Sequence, residues 1–221
     1  METSGQESRG GLRPAPSRAR CFSIPLAVML VTSLGSVARA EVYKFDFGSD
    51  DSALQDGFTR VTPKSLFEGA AEFGWVAGSK LEVRAKARTA YEDSSRGATP
   101  PPCWTCPLSE DAVVSDQPAE FAAKVAPGKY RAWVLCGLSY PYRNQYFDFD
   151  VTSGAVTKRV QFEESYQFRH VFLDVDAGSG EARLRFAPRS LFAVCGVVLW
   201  QETHEARIQS EVLKPLRQII D

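Results

Sequence analysis

The sequence predicts an all-β sandwich closed by a C-terminal amphipathic helix. Short runs of alternating apolar and polar residues recur from Val42 to Trp200, divided by Gly, Pro and Ser turns. Helical periodicity is scarce between those runs, which disfavours βαβ units and favours antiparallel pairing. After Trp200 the period changes: Ile208, Val212, Leu216 and Ile219 recur at three- and four-residue spacing, with Thr203, Glu205 and Glu211 on the polar side.

The first strand is Val42 to Phe47, which alternates and stops at Gly48. Phe58 to Val61 is a short extended run ended by Pro63, followed by Phe73 to Val76 and Leu81 to Val83. The stretch from Ala85 to Glu110 is long and irregular, with three consecutive prolines, and loops of that length inside a domain are usually functional or braced. Strands then come at regular spacing: Glu120 to Val125, Lys129 to Cys136, Gln145 to Val151, Ala155 to Phe162, Phe168 to Val175, Ala182 to Phe186 and Ala193 to Trp200. Within Phe147-Asp148-Phe149-Asp150 the two Phe share one sheet face and the two Asp the other. Trp75, Trp133 and Trp200 sit in apolar runs and are assigned to the core. Pro215 is expected to bend or break the terminal helix.

Ahead of the first strand, Arg9, Arg13, Arg18 and Arg20 precede the apolar run Phe22 to Val37, and Ala38-Arg39-Ala40 supplies a small-x-small cleavage pattern. Residues 1–40 are expected to be a signal peptide, residues 41–201 the sandwich and residues 202–221 the helix. The apolar run is short for a bilayer span and is interrupted by Pro25, Thr32, Ser33 and Gly35. The mature chain is therefore expected to be secreted, to the periplasm or the exterior. Four cysteines then remain in an oxidising compartment, and four allow three pairings. Spacing makes Cys103 and Cys106 a local disulfide within a Pro-rich loop. Cys136 and Cys195 lie in apolar runs where a free buried thiol is equally reasonable.

Charge excludes one class of partner. The chain has 26 basic and 27 acidic residues, with no basic stripe of the kind nucleic-acid binders carry. Catalytic constellations are also scarce. Only His170 and His204 are present, His170 reads as a satisfied mid-strand residue, and no Gly-x-Ser-x-Gly occurs. His204-Glu205 begins like a zinc-protease helix, but Ile208 stands where the second His belongs. Paired carboxylates such as Asp148 with Asp150, or Asp174 with Asp176, fit solvated strand faces better than a glycosidase acid–base pair. Sugar binding asks instead for aromatic faces with polar side chains that reach hydroxyls. Tyr140, Tyr142, Arg143 and Asn144 concentrate such groups between two strands, and Trp104 stands on the Cys- and Pro-braced loop.

Phe45-Asp46-Phe47-Gly48, Gly57-Phe58-Thr59, Val61-Thr62-Pro63 and Phe73-Gly74-Trp75, with Ser115-Asp116-Gln117-Pro118, Val125 to Tyr130 and the closing run Cys195 to Trp200, resemble the N-terminal galactose-binding-like domain of rhamnogalacturonan acetylesterase-type proteins. The resemblance implies a jelly-roll sandwich, a sugar-binding accessory role and a structural calcium. For calcium, Glu41, Asp46, Asp50 and Asp51 cluster where related modules carry their ion, although surface solvation accounts for the same residues. The leading expectation is a secreted, non-catalytic carbohydrate-binding module for a polysaccharide or glycan. The alternatives are a structural or adhesive surface protein that self-associates or meets a partner through the terminal helix, and a small carbohydrate esterase or glycosidase.

Overall fold

The computed structural model describes residues 42–78, 80–85, 106–138, 146–162 and 167–220. The described residues form β1 (Val42–Phe47), β2 (Thr59–Val61), β3 (Phe73–Trp75), β4 (Glu82–Ala85), β5 (Asp111–Ser115), β6 (Ala119–Lys124), β7 (Lys129–Gly137), β8 (Phe147–Ser153), β9 (Val156–Phe162), β10 (Phe168–Asp176), β11 (Glu181–Pro188) and β12 (Phe192–Gln201). One sheet runs β10-β7-β12-β1-β2, with β5 and β4 attached to β12; the other runs β3-β6-β11-β8-β9. This is the all-β sandwich that the alternating runs predict. The expected strands are present with ends displaced by a few residues. The strand β5 was not foreseen, because Ala112-Val113-Val114 is buried throughout and so shows no alternation.

The two sheets meet through aromatic residues at matching strand positions. Phe45 and Phe47 of β1 pack on Phe121 of β6, with ring centroids 5.0 Å apart in both pairs, and Phe47 meets Trp75 edge-on at 5.4 Å. Such tilted contacts suit the ring quadrupoles. Phe186 and Phe192 stack across the same layer at 5.3 Å. Trp75, Trp133 and Trp200 are all fully buried, as expected.

Strand β12 changes partner halfway along. On one side it pairs with β7 for nearly its whole length. On the other it pairs with β1 from Trp200 to Gly196, then with β5 from Val194 to Phe192. A register shift at Cys195 marks the exchange, as a bulge does where a strand must bend or end its pairing. At Gly196 an added Cβ would stand 2.7 Å from the Leu108 side chain, so glycine lets the turn Pro107–Ser109 lie against β12 without displacing that leucine.

The outer face of this sheet is covered by the C-terminal segment. Val198 pairs with Trp133, so the two share a face, and Trp200 lies two residues on. Trp200 donates its indole N–H to Glu205 at 2.8 Å, which fixes the start of the helix. The helical segment then buries Ile208, Leu213, Leu216 and Ile220 in the common core. Sequence spacing places Val212 and Ile219 on that face; Val212 is partly buried against the core, whereas Leu213 and Ile220 take the fully buried positions. The difference is a π-helical turn over Gln209–Leu213, which inserts one residue and advances the apolar stripe by one position. Pro215, with no N–H to donate, follows directly, and the chain continues helical to Ile220 instead of breaking. Ile219 is left 40% exposed. No helix among the described residues is long and apolar enough to cross a membrane.

Leu213→Ala should cost about 2–4 kcal/mol in urea unfolding, as deletion of a fully buried leucine does. Ile219→Ala should stay within about 0.5 kcal/mol. Equal costs at the two positions would contradict the shifted register.

Candidate functional site

The sandwich is open along one flank, where β9 ends one sheet and β10 ends the other. Along β9, Val160 and Phe162 are buried, so Lys158 shares their core-facing side; along β10, Val171, Leu173 and Val175 are buried, so Arg169 shares theirs. Both cations nevertheless remain exposed. A lysine and an arginine cannot be left unpaired inside a sandwich, because desolvating each charge is too costly. A groove of about 520 Å³, lined by Lys158–Gln161 and Arg169–Phe172, lies along the two sheet edges and lets both charges reach solvent. Each edge strand is paired on one side only, so peptide N–H and C=O groups of both strands also face this flank.

The polar side chains along the groove are held in place. Arg159 makes a two-pronged contact with Asp148, Nε to Oδ1 at 2.9 Å and Nη2 to Oδ2 at 2.8 Å. That contact, helped by Arg189, holds the Asp148 carboxyl below its ordinary range. Arg189 in turn clamps Asp150 at 3.0 and 2.8 Å. Asp148 and Asp150 thus stand as ion-paired carboxylates on the outer face. Trp133 donates its indole N–H to His170 Nδ1 at 3.0 Å, and the two rings stack at 5.6 Å. His170 is the engaged sheet residue expected from its mid-strand position, with its own proton left on Nε2. Gln161 donates its amide to the Tyr146 hydroxyl.

Several residues singled out by sequence lie outside the described residues: Trp104, Tyr140, Tyr142, Arg143, Asn144, Glu41 and Cys103. Tyr146, at the described end of that tyrosine-rich stretch, contacts the groove through Gln161. Cys106 carries a free thiol, so the expected bridge to Cys103 is not formed. Its side chain is turned inward and lies 3.5 Å from the Gln55 side-chain oxygen, and burial raises its thiol pKa. Cys136 and Cys195 are also free and buried, with Cys195 donating to the Gly137 carbonyl at 3.3 Å. The groove itself was missed by sequence reasoning, although Lys158 and Arg169 standing in phase with apolar residues was a readable signal.

Of the acidic residues expected around a calcium ion, the described three, Asp46, Asp50 and Asp51, do not converge. Asp50 pairs with Lys64 at 2.8 Å on the surface, and Asp51 is exposed. Asp46 alone is buried, accepting from the Gln55 amide at 2.8 Å. Its acidic neighbour is Asp111, which was not foreseen. Asp111 accepts from the Ser49 amide at 2.7 Å through Oδ2, and its Oδ1 is buried without a hydrogen-bond partner. Arg60 donates to the carbonyls of Ser49 and Ser52 and to the Ser52 hydroxyl, oxygens that a calcium ion would need. Among the described residues no group of three or more His, Cys, Asp or Glu side chains can hold a metal. The guanidinium of Arg60 supplies positive charge beside the Ser49 and Ser52 oxygens. Burial, reinforced by Asp111, pushes Asp46 up to about 7, and burial likewise raises Asp111. Gly48 touches this pair: an added Cβ would stand 2.3 Å from the Asp111 carboxylate.

No protein-family model and no curated protein sequence matches the chain, so nothing among them names the acetylesterase-type resemblance. Solved structures do match in fold. The protein YxiM from Bacillus subtilis superposes with a TM-score of 0.51 at 16% identity, over 73% of this chain and 40% of that one. A calcium-binding mutant of β-glucuronidase 2 from Bacteroides uniformis gives 0.49 at 13% identity, over 74% and 18%. The extracellular domain of ANXUR1 from Arabidopsis thaliana gives 0.48 at 12% identity, over 73% and 42%. This chain spans less than half the length of each. At these identities the likeness shows the sandwich fold alone.

The buried acid pair makes stability depend on pH. Because the folded pKa of Asp46 lies above its unfolded value of 3.8, the folded state holds a proton that the unfolded state has lost between pH 4 and pH 7. Stability should therefore fall as pH rises through that window, by up to about 4 kcal/mol. Asp46→Asn, which keeps an acceptor for Gln55, should flatten the dependence measured by urea unfolding at pH 5 and pH 8. A wild-type domain more stable at pH 8 than at pH 5 would overturn this reading.

Proposed function

We propose that the chain is a secreted, non-catalytic carbohydrate-binding module whose ligand lies in the groove between β9 and β10. The observation that carries this reading is the pairing of an open cleft of small-ligand size with a polar lining held ready by contacts of its own. A volume of about 520 Å³ falls in the range of small-molecule sites. Gln161, Arg159, His170 and the free peptide edges offer the donors and acceptors that sugar hydroxyls take up. Trp133 and Asp148 hold His170 and Arg159 in position, which lowers the ordering cost of binding.

Two open strand edges would also suit an added peptide strand. A core-facing lysine on an edge strand opposes that mode, since a pairing strand would enclose the charge. The polar-ligand reading is therefore favoured over strand addition. Catalysis is not part of the proposal: His170 is engaged by Trp133, and Asp148 and Asp150 are committed to arginines.

Retention on a panel of immobilised plant, algal and bacterial polysaccharides tests the proposal. At least one should be retained, and Gln161→Ala should weaken it about three- to tenfold, the worth of one or two hydrogen bonds. Failure to retain any of them, or an unaltered affinity in both Gln161→Ala and His170→Phe, would sink it.

A further inference from the structure

We infer that the groove selects anionic glycans, those that carry carboxylate or sulfate groups, and that Lys158 and Arg169 are the selecting residues. This rests on the proposed carbohydrate-binding role and adds the class of ligand.

The inference starts from where these cations stand. Each occupies a core-facing position on an edge strand, and the strands lie in different sheets on opposite walls of one groove. Lys158 makes no hydrogen bond or ion pair among the described residues. Arg169 donates only to neutral oxygens, the Phe168 carbonyl at 3.1 Å and the Gln167 side chain at 3.2 Å. On and beside the sheet that holds β9, Arg159 and Arg189 are matched with Asp148 and Asp150 and Arg183 with Glu120 and Glu181, while Arg185, on the outer face of β11, makes no ion pair among the described residues. The described lining of the groove includes no acidic residue. In a chain with net charge -1, two cations without acidic partners among the described residues thus face one cleft.

Protection of the sheet edges does not account for this arrangement. One inward charge on one strand suffices to block edge-to-edge pairing. Two cations that line one groove raise its positive potential, which an entering oxyanion would meet favourably. Arginine further suits carboxylate and sulfate through its planar pair of donors. The opposite end of the same flank supplies a contrast within the molecule. There Asp174, Asp176 and Glu202 line a second depression with Lys129, and an anionic chain would be repelled. An anionic glycan is therefore expected to engage the Lys158–Arg169 end only.

Matched ligand pairs that differ only in charge test the inference. Polygalacturonate is compared with its methyl ester, and dextran sulfate with dextran, by titration calorimetry on the intact chain at low and moderate salt. At least one anionic member should bind about tenfold more tightly than its neutral counterpart, with the advantage shrinking as salt rises. Which pair responds distinguishes carboxylate from sulfate. Lys158→Ser with Arg169→Ser should erase the advantage while leaving the melting temperature in place. Arg185→Ser, which removes an exposed charge from the outer face of β11, should leave the advantage intact. Equal affinity within both pairs, or an advantage that survives the double substitution, would overturn anion selection and leave the carbohydrate-binding reading standing. Absence of binding by all four ligands and by the wider polysaccharide panel would remove both.

Discussion

Strand β12 is buried on both faces along all but its last residue, and much of the molecule follows from that requirement. Its inner face closes on the aromatic layer built by Phe45, Phe47, Trp75 and Phe121. Its outer face needs a second cover, which the helical segment provides at Trp200 and the Pro107–Ser109 turn provides at Gly196. The segment after Trp200 is thus a part of the hydrophobic core, and its apolar side is spent on the sheet. The advance of that side by one position at the π turn is how a helix containing Pro215 keeps all four of its anchors buried.

The change of partner along β12 also creates the most unusual electrostatics in the molecule. Where β1 ends and β5 begins, the sheet surrounds Asp46 and Asp111 with few donors to satisfy them. Carboxyls in that position either take up a cation or keep a proton. Arg60 approaches through the Ser49 and Ser52 oxygens and lowers the Asp46 pKa only in part, so the burial effect wins. The outcome is a structural acid pair beneath an arginine-braced loop.

Much of the sandwich was legible because period-two alternation survives wherever one face of a strand is wetter than the other. Val156 to Phe162 and Phe168 to Asp176 show it clearly, and the three core tryptophans followed from the same reasoning. The signal fades where both faces are buried. Asp111 to Ser115 hides for that reason, and with it the partner of Asp46. The helix misled by one residue because a π turn leaves no mark in apolar spacing. The Cys103–Cys106 bridge was read from spacing alone, whereas the inward turn of Cys106 beside Gln55 depends on contacts with residues distant in sequence.

The groove shows how a departure from a pattern carries more information than the pattern. Aromatic loops drew attention because sugar sites often use them, yet the described cleft is framed by strand edges and charge. Lys158 and Arg169 interrupt otherwise regular core-facing series at a cost that a sandwich avoids unless the charges reach solvent. The groove along the β9 and β10 edges lets both charges reach solvent. On the same flank, the Trp133–His170 stack and the Asp148–Arg159 clamp stiffen each wall independently. On the proposed reading, the contacts that hold Arg159 and His170 would lower the ordering cost of a ligand in this groove, and the charges on its walls would set which ligand it prefers.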